Sequence, residues 1–80
     1  MNKEDIVEKI KNYISFVAVI NVDKLENDKS LRNYYKISYF ELDEILIGIE
    51  DKFDVSITIE GYDKLDTIND ITNIILEKKR

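Results

Sequence analysis

The 80-residue chain has no cysteine, no histidine and no proline, and only two glycines. Each absence excludes something. Without cysteine there is neither a disulfide framework nor a thiolate metal site. Without histidine as well, the commonest general base near neutral pH, thiol nucleophile and zinc ligand are all missing. Carboxylates remain, but a catalytic acid pair needs a cleft to desolvate it, and a chain of this length leaves little room for one. No catalytic residue and no metal site is expected, and the chain reads as a non-enzyme. No run of about 18 apolar residues appears, nor a leader pattern at the start, so no membrane span or secretory signal is expected and cytoplasm is the default compartment. With no proline, nothing interrupts a helical pattern.

What is present has the composition of a globular domain. Hydrophobic residues make up 44 % and charged residues 36 %, which separates the chain from disordered sequences. The length corresponds to one domain over residues 1–80, small enough to bury only about 60–65 % of the surface its unfolded form exposes. Net charge is −5, and no Lys/Arg cluster occurs before the last residues, which argues against nucleic acid.

That charge is not spread evenly. The stretch from Ser38 to Asp54 carries Glu41, Asp43, Glu44, Glu50, Asp51 and Asp54 against Lys52 alone, a net of −5. The rest of the chain balances, eleven acids against eleven bases. The same stretch has Leu42, Ile45, Leu46, Ile49 and Phe53 at i, i+3, i+4, i+7 and i+11, the stripe of an amphipathic helix. Packing explains the stripe. It does not require the acids to be gathered on the same element.

The other elements follow in order. A first helix is expected from Asn2 or Lys3 to Ala18, capped by Asn2, with Ile6, Ile10, Tyr13, Ile14 and Val17 inward and Phe16 off the stripe, under the following loop. Val19–Ile37 has no sustained period and reads as a long loop pinned by Val22, Leu25 and Leu31, with one helical turn opened by Asp23 or Asn27. Ser38 and Glu41 have capping-box spacing for the central helix. Glu60–Leu65, containing Gly61, allows one or two turns, and Asp66 and Thr67 are caps for a last helix to about Glu77 with Ile68, Ile71, Ile74 and Ile75 inward. The tail Lys78, Lys79 and Arg80 suits the negative end of that helix. The fold class is all-α: a small up-and-down four-helix bundle of three longer helices, a short third helix and a long first loop.

This pattern resembles the acyl carrier proteins over nearly the whole chain. Glu44-Ile45 with Ile49-Glu50-Asp51-Lys52-Phe53-Asp54 is similar to the EL…LEEEFD ending of that family's second helix. Ile57 stands at its "EIP" step, Lys64-Leu65-Asp66-Thr67-Ile68 is similar to its "KITTV" entry to the last helix, and Val22-Asp23-Lys24-Leu25 and Ser30-Leu31 match its loop. The resemblance implies a carrier that presents acyl or aminoacyl thioester intermediates on a 4'-phosphopantetheine arm, as in fatty acid or polyketide synthesis. Its implied partners are acyl-transferring, condensing or ligase enzymes with basic docking patches, plus a phosphopantetheinyl transferase, and it implies a monomer. The implied docking residues are Glu41, Glu44, Glu50, Asp51 and Asp54.

The chain departs from the family at the attachment motif, Gly-x-Asp-Ser-Leu. Aligned without a gap, Lys36 replaces the Gly, Ser38 the Asp and Tyr39 the Ser, while Phe40 keeps an apolar residue. Two readings stay open. A one-residue slip makes Ser38 the acceptor, at a helix N-terminus that favours an anionic phosphodiester. Alternatively Ser38 is only a cap, and the protein is an armless docking or regulatory partner, with Tyr34, Tyr35, Tyr39 and Phe40 either contacting partners or packing on the first loop. An unrelated helical bundle, such as an oligomer subunit, is the third possibility.

Overall fold

The computed structural model describes residues 2–58 and 62–79. Helix α1 spans Lys3–Ala18 and starts where Asn2 Oδ1 accepts the Asp5 N–H at 2.8 Å. Ile6, Ile10 and Ile14 are buried along one line, with Tyr13 and Val17 packed partly against the core. The helix ends at Val19 in the left-handed conformation, φ 55°. Phe16 is 81 % exposed and does not lie under the loop. Two residues beyond Ile14 is about 200° around a helix, so its side chain leaves the bundle on the far side.

The loop is pinned as its apolar residues imply, since Leu25, Leu31 and Ile37 are buried and Val22 partly so. Its helical turn is 3-10, Val22–Lys24, and Asn21 rather than Asp23 or Asn27 opens it by accepting the Asp23 N–H. Tyr35 braces this segment from behind: its hydroxyl accepts the Glu26 N–H at 2.6 Å and donates to the Lys24 carbonyl at 2.8 Å. A second turn closes with Ile37 N–H on the Leu31 carbonyl at 3.0 Å and delivers the chain to the next helix.

Helix α2 spans Tyr39–Phe53 and buries Leu42, Ile45, Leu46, Ile49 and Phe53, the full stripe. Helix α3 spans Ile68–Lys78, one residue longer than expected, and is capped by Thr67. It buries Ile68, Ile71 and Ile75, whereas Ile74 is only partly buried. Thr72 is fully buried in its place, harmless because its hydroxyl donates to the Ile68 carbonyl at 2.8 Å. Helix α1 packs against both α2 and α3. Where it crosses α2, Tyr13 lies over Gly48 so closely that a Cβ at 48 would fall 1.9 Å from the phenol oxygen.

Among the described residues there is no strand. After α2, residues 55–58 take no regular secondary structure, and Ile57 is buried. The expected short helix over Glu60–Leu65 and the cation Arg80 fall partly or wholly outside the described residues. Among the described residues of this stretch, Tyr62 N–H donates to the Thr58 carbonyl and Leu65 N–H to that of Tyr62, each at 3.1 Å. The architecture is an all-α bundle.

Candidate functional site

The residues of interest lie at the start of α2 and along its exposed side. Lys36 enters this region with φ 61°, a left-handed conformation that glycine takes freely and that costs a lysine about 1–2 kcal/mol. Ser38 follows as N-cap. Its Oγ accepts the Glu41 N–H at 3.1 Å, and Glu41 Oε1 accepts both the Ser38 N–H and the Ser38 hydroxyl at 3.2 Å. The capping box is closed, and the Ser38 hydroxyl has a partner on each side. Glu41, expected among the docking acids, is half-buried and occupied by this box.

Tyr39 occupies the first helical position and is 69 % exposed. Its phenol oxygen accepts from Arg32 Nη1 at 3.3 Å, and the guanidinium lies 5.4 Å from the ring centroid. Arg32 is itself anchored. Asp66 Oδ1 accepts from Arg32 Nε at 3.0 Å and from the Arg32 backbone N–H at 3.2 Å, and Asp66 Oδ2 accepts the Ser30 hydroxyl at 2.5 Å. Burial by itself pushes the Asp66 carboxyl up. The hydrogen bonds from Ser30 and Arg32, with Arg32's charge, outweigh it and hold Asp66 below the usual carboxylate range. The Leu31 N–H on the Asp66 carbonyl at 2.7 Å completes a clasp joining the loop, the first turn of α2 and the approach to α3. Nothing in the sequence marks Arg32, and Asp66 reads there as a cap and as part of the entry to the last helix. They are 34 residues apart, and no local spacing announces such a pair.

The remaining acids separate by side. Glu50 is half-buried: its Oε2 accepts the Ile57 N–H at 2.8 Å, and its Oε1 accepts the Tyr62 hydroxyl. Burial, then the hydrogen bond and charge of Glu50, push the Tyr62 phenol up to about 12. Glu50 thus ties the end of α2 to the segment beyond it. Glu44, Asp51 and Asp54 are exposed, as is Asp43, which lies outside the implied docking set. Phe40 and Ile47 are also exposed, at 76 % and 60 %. Positions 40, 44, 47 and 51 recur at i, i+4, i+7 and i+11, so one outward stripe alternates apolar and acidic side chains. The signal for Ile47 in the sequence is its place one residue past Leu46, which puts it off the buried stripe. Of the aromatic candidates, Tyr34, Tyr39 and Phe40 face solvent, while Tyr35 is the loop brace.

Among the described residues, no group of three His, Cys, Asp or Glu side chains is arranged to hold a metal ion, and no helix is long and apolar enough to cross a membrane.

No family model matches the chain. Individual proteins do, nearly end to end. The acyl carrier protein of Buchnera aphidicola subsp. Schizaphis graminum is 29 % identical over 76 residues, covering 95 % of this chain and 96 % of that protein. Those of Petrotoga mobilis and of an Exiguobacterium species are 27 % and 28 % identical over 78 residues, each covering 98 % of this chain and 92 % and 99 % of their own. The fold is similar to a solved structure of acyl carrier protein from Enterococcus faecalis, with a TM-score of 0.82 at 20 % identity, covering 98 % of this chain and 99 % of that one. The family to which the motifs pointed is therefore supported by sequence and by fold.

Proposed function

We propose that this relative of the acyl carrier proteins works without an active site of its own, by docking onto basic patches of acyl-transferring, condensing or ligase enzymes through the outward stripe of α2. The observation that carries this reading is the exposure of Glu44, Asp51 and Asp54, with Asp43, on the Ser38–Asp54 stretch that holds the chain's whole net charge. Exposed charge of one sign governs encounter and orientation more than the strength of the final complex. Phe40 and Ile47, seven residues apart on the same stripe, supply apolar contacts to hold it. Glu41 and Glu50 support the helix rather than the contact. Under this reading the protein is a cytoplasmic monomer.

One form of the reading adds a phosphopantetheine arm on Ser38, presenting acyl or aminoacyl thioesters. Exposure of Ser38 at a helix N-terminus is what favours it. Docking itself is tested by titrating the chain against a bacterial acyltransferase that uses acyl carrier protein as substrate, at rising salt. Affinity should fall roughly tenfold between low and high ionic strength. A salt-insensitive complex would remove the acidic stripe from the interface.

A further inference from the structure

Acyl carrier proteins generally carry phosphopantetheine, and whether these residues fit that group depends on the register of the attachment motif. The backbone discriminates between the two registers. Attachment at Ser38 requires a one-residue slip, which sets Ile37 at the motif's Asp and Tyr35 at its Gly. The ungapped register sets Lys36 at the Gly. Among the described residues only Val19, Lys36 and Asp54 combine a side chain with positive φ. Tyr35 is not one of them; Lys36 is, at 61°. Position 36, the motif's Gly in the ungapped register, holds the left-handed turn that a glycine would adopt without strain, and position 35 does not.

The two following positions agree with that register. Position 38 falls on the motif's Asp, and Ser and Asp are near-equivalent N-caps. Ser38 does a cap's work here, with its oxygen on the Glu41 N–H and its proton directed at the Glu41 carboxylate. The acceptor position itself is Tyr39. Its phenol is bulkier than a serine hydroxymethyl, and its oxygen is held by Arg32, whose guanidinium Asp66 fixes in place. We infer that this chain is an acyl carrier protein homologue without an arm, in which Tyr39, clasped by Arg32, closes the position where the arm would be attached. The inference rests on the family reading above but not on the docking stripe; joined to that stripe, it makes the protein a partner that engages carrier-dependent enzymes without delivering cargo.

The test is intact mass after incubation with coenzyme A and a permissive phosphopantetheinyl transferase, with a known carrier protein labelled in parallel. The wild-type chain should gain no increment. The variant Lys36→Gly/Ser38→Asp/Tyr39→Ser, which rebuilds the motif in the ungapped register, should gain a single phosphopantetheinyl increment that peptide mapping places at position 39. The variant Ser38→Asp/Tyr39→Ser leaves the turn at Lys36 untouched and serves if the triple variant loses its helical circular dichroism. An increment on the wild-type chain that disappears in Ser38→Ala, or in Tyr39→Phe, overturns the inference and makes this a loaded carrier. A folded, rebuilt motif that stays unlabelled beside a labelled control overturns the register assignment and counts against the family reading. Salt-dependent docking is scored separately, so neither result is confused with failure of the α2 interface.

Discussion

Glu50 and Asp51 are neighbours on the same acidic helix and sit in opposite surroundings. Glu50 is half-buried and receives the Ile57 N–H and the Tyr62 hydroxyl, binding the end of α2 to the chain beyond. Asp51, 100° further round, is exposed on a stripe it shares with Phe40, Glu44 and Ile47. The contrast teaches that formal charge on a helix is not the charge a partner meets. Part of the acidity of α2 is spent internally, at Glu41 on the cap and at Glu50 on the C-terminal tie.

The largest expected effect breaks the inner half of that contrast. Replacing Glu50 by Ala leaves the Ile57 N–H and the Tyr62 hydroxyl without their acceptor in a half-buried place, which should destabilise the fold by about 2–3 kcal/mol in urea unfolding. The affinity of the folded fraction for a basic partner should change little. A loss of docking without loss of stability would put Glu50 back on the interface.

Reversing the outer charges should do the converse. The pair Glu44→Lys/Asp51→Lys should weaken docking at low salt by tenfold or more, roughly 1.4–2 kcal/mol, chiefly through a slower association rate. Stability should stay within about 0.5 kcal/mol, since both side chains are exposed. Stopped-flow binding and urea titration of the same variant separate the two outcomes. Equal losses in both would erase the distinction.

Alkali isolates the inner tie without mutation. Tyr62 sits near 12 in the fold, above the ordinary phenol value near 10. The native state therefore holds the proton more tightly than the unfolded chain does. The stabilisation is fully present below pH 10 and is lost as pH rises towards about 12. Tyr62→Phe should flatten stability over that window. At the other extreme Asp66, held below the usual carboxylate range, contributes stability that is present above the unfolded value near 4 and fades as pH falls through the lower native one.

Much of this molecule is legible from its sequence where the cause is local. The apolar stripe of α2, the Ser38–Glu41 box and the Asn2 cap depend on spacings of three, four and seven residues, which a helix converts directly into contact. Resemblance to a known family extended that reading to the whole bundle. What stayed hidden is what the chain brings together from a distance. Whether Glu50 faces Tyr62, or Arg32 reaches back to Asp66, is decided by the path of the chain between them. The left-handed Lys36 was hidden for another reason: lysine carries no preference for that conformation, so only the backbone reveals a turn there that would suit glycine.

The smallest expected effect compares the two capping boxes. Thr67 and Asp70 repeat at α3 the device of Ser38 and Glu41 at α2, with the Asp70 N–H on Thr67 Oγ1 at 3.0 Å. The α3 box is half-buried, and its carboxylate also takes the Asp66 N–H, so it is part of the clasp. Thr67→Ala should cost about 1–2 kcal/mol and Ser38→Ala about 0.5–1, because water replaces the lost partner readily only at the exposed α2 end. If Ser38→Ala proves the costlier of the two, the start of α2 is a structural joint. A near-neutral Ser38→Ala that leaves docking unchanged would instead fit a helix start that does not limit the fold, with recognition carried further down the helix by Glu44, Ile47 and Asp51.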